Sequence, residues 1–544
     1  MKTPSARAQR RLAARAGADD AERRQLLSQA TDAMRHGALG DAEQAARRVL
    51  ARMPDDAEAL NVVGMVALGR GRGPEAAEIL AKAARRAPRS AMIRCNHAFA
   101  LRASGRLDEA AREAGEAARL DPRLVPAHAV LGTALVDLGR PEAALAPLTR
   151  ALELAPGLGR VHFALGQAYR ALGRDEEASR HFEAALTADP SRDEIWTLLG
   201  WLHVDARRYD EAVRWFHDGL VDKRASRWWP VAGGAPVRAA APVPVTVAKL
   251  AHDVEQLGYL LDRGLVPADV AGVRDASRTL AGSLEKTHGV DAVASLSPAE
   301  LGPLADCYAR VVHWRETPAQ DGPVLGDFDR VAVEARYAVP PGVCWVDGLL
   351  SLNALEALRR FCLDSTIWND VSHNYRQGGT RRSYLGTYAH DGFCCPLLFQ
   401  VAEELTRALP SIFKDHRLRQ MWAYKYETDL EGIDIHGDNA AVNVNFWLTP
   451  DEANLNPDSG GLVVWPIEAP AEWDFDDYNK DGARIRGFLD SSGVAPVNVP
   501  YRQNRAVIFN SDLFHATAPL KFKPGYENRR INVTMLFGRR EAQR

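Results

Sequence analysis

The sequence predicts a multidomain chain: an all-α solenoid of paired helices, followed by a β-sandwich or jelly-roll domain with flanking helices. Three observations predict it. A 34-residue period of small residues and prolines runs through the N-terminal part. A stretch rich in Gly, Pro and Ala breaks that period after Trp228-Trp229-Pro230. From about residue 336, short strand-like runs separated by turn residues replace the helical texture.

Composition sets the limits. The chain has 544 residues, 46% hydrophobic and 26% charged, which excludes wholesale disorder. Lys plus Arg number 68 and Asp plus Glu 71, so the net charge of -3 argues against binding nucleic acid through bulk charge. The six cysteines (Cys95, Cys307, Cys344, Cys362, Cys394 and Cys395) form no C-x-x-C and are too few for a disulfide framework. No apolar run reaches the roughly 18–20 residues of a membrane helix, and no apolar N-terminal stretch suggests a secretory signal. A cytoplasmic protein that spans no membrane is therefore expected. Lys2, Arg7, Arg10, Arg11 and Arg15, with no acid among them, read as a solvated, disordered basic tail over residues 1–19.

Residues 20–225 carry the period. Pro54, Pro88, Pro122, Pro156 and Pro190 are 34 apart. Gly37, Gly71, Gly105, Gly139 and Gly173 keep the same step, each 17 residues before its proline. Ala42, Ala76, Ala110, Ala144, Ala178 and Ala212 form a third column. Ala30, Gly64, Ala98, Gly132, Gly166 and Gly200 form a fourth. Two helices per repeat account for all four columns. Small residues let the helix backbones approach, glycine makes the turn between them, and proline ends the second helix. These columns resemble the tetratricopeptide repeat (TPR), with five clean repeats and a sixth, atypical one. That last repeat holds Trp196, Gly200 and Ala212 but has Arg207 at the turn and no closing proline. The resemblance implies a groove for a peptide or protein partner. Asn61, Cys95, Ala129 and Phe163, at the fifth positions of successive first helices, make no basic clamp for a C-terminal carboxylate.

Residues 226–335 read as a linker and helical bridge. Val247, Leu250, Val254, Leu257 and Leu261 mark an amphipathic helix, and a further helical piece is expected around Leu301–Val312. In 336–544, strands are expected at Met421–Tyr426, Val442–Leu448, Gly461–Trp465, Arg505–Phe509 and Arg530–Phe537, with helices near 351–362 and 397–409.

Among those strands stands His436-Gly437-Asp438, and His515 follows 79 residues after His436. Side chains at i and i+2 of an extended segment share a side, and a third group can arrive from another strand. Two imidazoles and one carboxylate on one face suit a non-haem iron with open positions. Asn443, Asn445 and Trp447 alternate along the next strand and are expected to line a cavity.

The surroundings of this triad resemble the 2-oxoglutarate/Fe(II)-dependent oxygenases of the prolyl-hydroxylase-like type. Asp347-Gly348-Leu349-Leu350-Ser351 looks like that domain's opening, and Tyr426 stands ten residues before His436. Ser459-Gly460-Gly461-Leu462-Val463 resembles the turn and strand after the metal hairpin, and Asn528-Arg529-Arg530-Ile531-Asn532-Val533-Thr534 follows His515. The resemblance implies a double-stranded β-helix in which His436, Asp438 and His515 hold Fe(II). It implies that Arg530, with Tyr426 and Thr534, binds 2-oxoglutarate, and Asn443 joins them as a further co-substrate contact. Arg530 is preferred to Arg529 because it shares a strand face with Asn532 and Thr534. Retention of Asp438 favours hydroxylation over halogenation. The expected function is hydroxylation of a peptide or protein recruited by the repeats. The alternatives are a non-enzymatic TPR scaffold with a degenerate oxygenase domain, and a small-molecule oxygenase with repeats used for assembly. Residues 466–500 are expected to form a lid over the site.

Overall fold

The computed structural model describes residues 6–224, 242–290, 293–305, 307–370, 384–414, 416–430, 432–470 and 472–539, in two compact units, 1–195 and 196–544. The linker expected after Trp228 falls largely outside the described residues.

The first unit is a stack of helical hairpins. They are α1 (Ala6–Arg35) with α2 (Leu39–Arg52), α3 (Ala57–Gly69) with α4 (Gly73–Arg86), and α5 (Ala91–Ala103) with α6 (Leu107–Leu120). Next come α7 (Val125–Asp137) with α8 (Pro141–Leu154), and α9 (Gly159–Ala171) with α10 (Asp175–Ala188). α1 runs through most of the segment read as a disordered tail, a correction with a simple cause: Ala and Arg are strong helix formers even where little apolar surface is available.

Each repeat column has a physical role. The turn glycines all take φ between 68° and 75°. In the second hairpin Gly71 N–H donates to Leu68 O and Arg72 N–H to Ala67 O, closing the helix end with a left-handed residue. The alanine column from Ala42 to Ala212 is wholly buried. A Cβ on Gly132 would lie 2.3 Å from Leu148 Cγ, and one on Gly166 would lie 2.6 Å from the Phe182 ring. The facing helix thus pushes a large side chain into the space that glycine leaves.

The sixth hairpin, α11 (Asp193–Asp205) with α12 (Tyr209–Arg224), falls almost entirely in the second unit, so the domain boundary lies near 195 and not at 225. Arg207 holds the left-handed turn with φ 57° and makes the same two bonds, Arg207 N–H to Val204 O and Arg208 N–H to His203 O. Its guanidinium lies 3.1 Å from Glu403, which also accepts from the Tyr209 hydroxyl at 2.6 Å.

The bridge is not separate either. β1 (Val243–Thr246) pairs with β2 (Val293–Leu296) around α13 (Val247–Asp262) and α14 (Val270–His288). The piece expected around Leu301–Val312 is only the short α15 (Pro298–Leu301) and one 3-10 turn, because Gly302-Pro303 interrupts it. α16 (Arg330–Tyr337), β3 (Val343–Asp347), α17 (Leu352–Asp364), β4 (Tyr384–Tyr388), α18 (Pro396–Ala408) and α19 (Pro410–Phe413) follow. Leu257 and Leu260 of α13, Phe216 and Leu220 of α12, and Phe361 of α17 share one core with Ala423, Phe446 and Met535 of the large sheet.

The remaining elements are β5 (Leu418–Tyr426), β6 (Asp429–Leu430), β7 (Ile433–His436), β8 (Val442–Trp447), β9 (Leu462–Glu468), α20 (Phe475–Asn479), α21 (Gly482–Ser492), β10 (Val497–Val499), β11 (Arg505–Asn510), β12 (Leu513–Thr517), β13 (Leu520–Lys521) and β14 (Ile531–Phe537). Six strands form one antiparallel sheet in the order β3-β11-β8-β14-β5-β4, and four form another in the order β10-β9-β12-β7. The chain passes back and forth between these sheets. The large sheet is buried on both faces. Val442, Val444 and Phe446 of β8 point to the helical core, while Asn443, Asn445 and Trp447 point the other way. Gly461 opens β9 where a Cβ would meet Val499 O at 1.9 Å.

Candidate metal centre

β7 and β12 are antiparallel neighbours, and their register sets His436 directly opposite His515. The two imidazole centroids are 4.4 Å apart. β7 ends at His436, and Asp438 follows two residues on, beside it. The 466–500 segment holds the backbone between them: Gly437 N–H donates to Tyr478 O at 2.7 Å, and Asn479 Nδ2 donates to Gly437 O at 2.7 Å.

The result is a compact set of donor atoms. One Asp438 oxygen lies 3.4 Å from His515 Nε2 and the other 4.0 Å from His436 Nε2. The potential ligand atoms of all three residues lie within 4.8 Å of one another. His515 Nδ1 lies 3.3 Å from Leu513 O, which turns Nε2 toward the centre. Burial pushes the Asp438 carboxyl up, but its hydrogen bonds and the nearby imidazole charges outweigh this and hold it below its ordinary value of 3.8. Two imidazoles and an ionised carboxylate can hold a divalent metal and leave one side open.

Asn443 is fully buried and is not among the residues that line the cavity. It donates instead to Asp438 Oδ2 at 2.7 Å. Asn445 Nδ2 donates to Asn443 Oδ1 at 2.6 Å, and Asn445 Oδ1 accepts from Thr534 at 2.7 Å and Asn532 at 3.0 Å. A ladder of amides thus runs from the candidate metal ligand across β8 to β14.

A cavity of about 930 Å³ opens at the triad. Its wall includes Tyr426, Asn445, Asn532 and Thr534, as well as Tyr384, Tyr388, Trp422 and Tyr424. Arg530 is completely buried one layer behind this wall. Its guanidinium carbon sits 4.6 Å from the Tyr426 ring centre, and Nε donates to Gly460 O at 2.7 Å. Nη1 has no hydrogen-bond partner, and no carboxylate among the described residues forms an ion pair with this guanidinium. Arg529 pairs with Glu255 at 2.7 Å. The two arginines thus face opposite sides, as strand parity expects.

Sequence reasoning missed several wall residues. Trp422, Tyr424 and Tyr426 alternate on β5, beside Tyr384 and Tyr388 on β4; only Tyr426 was singled out, although the alternation was readable. Asn479 was missed because its role is to bond the backbone of a loop distant in sequence. The segment expected to be a lid carries the end of β9, α20, α21 and β10, and it brings Phe475, Asn479 and Lys480 to the cavity wall.

Comparison with known proteins bears on the helical part. Two tetratricopeptide-repeat family models match, one at residues 27–91 and 95–159 and the other at 159–202, so the chain carries TPRs. No curated protein matches. Among solved structures, a thermophilic TPR protein of Thermus thermophilus is 25% identical, with a TM-score of 0.28, and the match covers 33% of this chain and 98% of that one. MamA from Desulfovibrio magneticus RS-1 is 23% identical over 31% of this chain and 97% of its own, with a TM-score of 0.30. The Pseudomonas aeruginosa protein pilF is 18% identical over 39% and 95%, with a TM-score of 0.35. The repeats suggest a protein-interaction scaffold. Among the described residues no helix is long and apolar enough to cross a membrane.

Proposed function

We propose that the C-terminal unit is a 2-oxoglutarate- and Fe(II)-dependent oxygenase that hydroxylates a peptide or protein recruited by the TPR array. The observation that carries this reading is the convergence of His436, Asp438 and His515 on the wall of a cavity, with donor atoms within 4.8 Å. That donor set is one ferrous iron takes with three positions left open, and it lacks the thiolates a soft metal prefers. The alternation of strands between two antiparallel sheets, with the triad on the smaller one, supports a double-stranded β-helix. Bound iron would supply dioxygen activation coupled to decarboxylation of 2-oxoglutarate.

The chain's own residues have separable tasks in this reading. Asn443 aims the Asp438 carboxylate, and Leu513 O orients His515. Arg530 offers a buried guanidinium with an open Nη1 for the distal carboxylate of the co-substrate, behind Tyr426 and near Thr534. Five of the six cysteines are buried, away from any oxidant, which agrees with a cytoplasmic setting.

A second reading, a TPR scaffold without catalysis, draws on the enclosure of Arg530: its Nε is held by Gly460 O and its plane is covered by Tyr426. One assay separates the two. The purified protein with Fe(II) and 2-oxoglutarate should release succinate, and His436→Ala should reduce that release more than about 100-fold. Equal yields from both proteins, or none from either, would refute the oxygenase.

A further inference from the structure

The cavity walls carry more information than the triad requires. Among the described residues that line the cavity, Asp438 is the sole carboxylate, and it belongs to the metal centre. The other charged side chains among them, the triad imidazoles aside, are cations: Arg419, Lys480 and Arg539. The carboxylates nearest to two of them stand outside the cavity. Asp476 pairs with Lys480 at 2.6 Å and Asp205 with Arg419 at 3.6 Å, both as ion pairs that solvent reaches and of little strength. Among the described residues the wall thus carries three cations against one carboxylate, an imbalance that favours an anionic group there.

Below the mouth the wall turns aromatic. Trp422 and Tyr424 of β5 stand beside Tyr384 and Tyr388 of β4, and Gly386 sits opposite Tyr424 in the register. A Cβ on Gly386 would lie 3.1 Å from the Tyr424 ring, so the glycine gives that ring its place. Asn532, which also lines the cavity and is 5% exposed, has its Oδ1 without a partner. Such a wall accepts an apolar or weakly polar side chain and offers an acceptor to a backbone N–H.

We infer that the prime substrate is an acidic peptide segment. Its carboxylates meet Arg419, Lys480 and Arg539 at the mouth, and its reacting residue lies along the Trp422–Tyr424 wall beside the triad. This rests on the function proposed above and gives it a substrate class. A peptide is favoured over a nucleic acid strand because the same chain carries TPRs, which suggest protein partners.

The test is binding without turnover. Anisotropy of three fluorescein-labelled probes is measured on the metal-free full-length protein: a Glu/Ala decapeptide, its Lys/Ala counterpart and a deoxythymidine decamer. The Glu peptide should bind best, and the double variant Arg419→Gln/Lys480→Gln should weaken it about tenfold. Manganese binding at the triad should be retained in that variant, which shows that the fold is intact. No detectable binding of the Glu peptide, equal binding of both peptides, preference for the decamer, or affinity unchanged in the double variant would each overturn the inference. The last of these outcomes would assign the peptide to the repeats. Failure of the oxygenase reading would show separately, as absent succinate with cavity-dependent peptide binding intact.

Discussion

The repeat array and the β-sheet unit solve opposite problems. In the array each functional contact is local: Gly132 receives Leu148 sixteen residues on, and Gly166 receives Phe182 at the same offset. In the β unit the contacts that matter are remote: His515 opposes His436, and Arg529 finds Glu255. A substitution in the array should therefore disturb its own hairpin and those next to it. One at the metal centre should disturb chemistry and leave the array unchanged.

The largest expected stability effect tests the local side. Gly132→Val puts branched carbon where Leu148 already sits, so the array should lose about 1–3 kcal/mol in urea unfolding while metal binding at the triad stays unchanged. Coupled loss of both would break the contrast. Asn443→Ala tests the remote side. Removing the amide that aims Asp438 should weaken divalent-metal affinity about tenfold by calorimetry, with the unfolding midpoint of the array unaltered.

The sixth hairpin lies between these regimes, and two smaller effects sharpen its place. Glu403 receives Tyr209, Arg207 and Arg407. Burial raises its pKa, but these partners outweigh that and hold it below the ordinary 4.5. Its contribution to stability is complete above that value and is lost as pH falls through the depressed folded pKa. Glu403→Gln should therefore cost at most about 1 kcal/mol at neutral pH, since water reaches the group, and the difference from the parent should shrink on acidification below 4.5. Arg207→Gly should change stability least, within about 0.5 kcal/mol. It relieves a left-handed non-glycine residue but gives up the contact with Glu403 and frees the unfolded chain.

Legibility follows the same division. The five turn glycines, the buried alanine column and the helix pairs were readable because a repeat writes the same local solution several times. Arg207 reads as a defect in sequence, yet it keeps the turn while binding Glu403 196 positions away. Five strands of the β unit, β5, β8, β9, β11 and β14, were placed to within a few residues, whereas β4, β7, β10 and β12 were not singled out. The triad was readable as residue types, and the choice of Arg530 over Arg529 followed from strand parity. The sheet orders were not readable, nor were the hydrogen bonds by which Tyr478 and Asn479 hold Gly437. The role of Asn443 depends on where Asp438 sits in the tertiary structure, so alternation alone placed it on the cavity wall.

The sequence by itself determined the repeat period, the helix pairs, the strand faces and the identity of the three candidate ligands, because period and parity are properties of the local backbone. Only the tertiary structure decided that β7 and β12 are neighbours in the register that sets His436 against His515. It alone also placed Arg530 behind Tyr426 and joined the last helical hairpin to the β unit. Those outcomes depend on the packing of segments far apart in the chain, whose mutual positions no local pattern records.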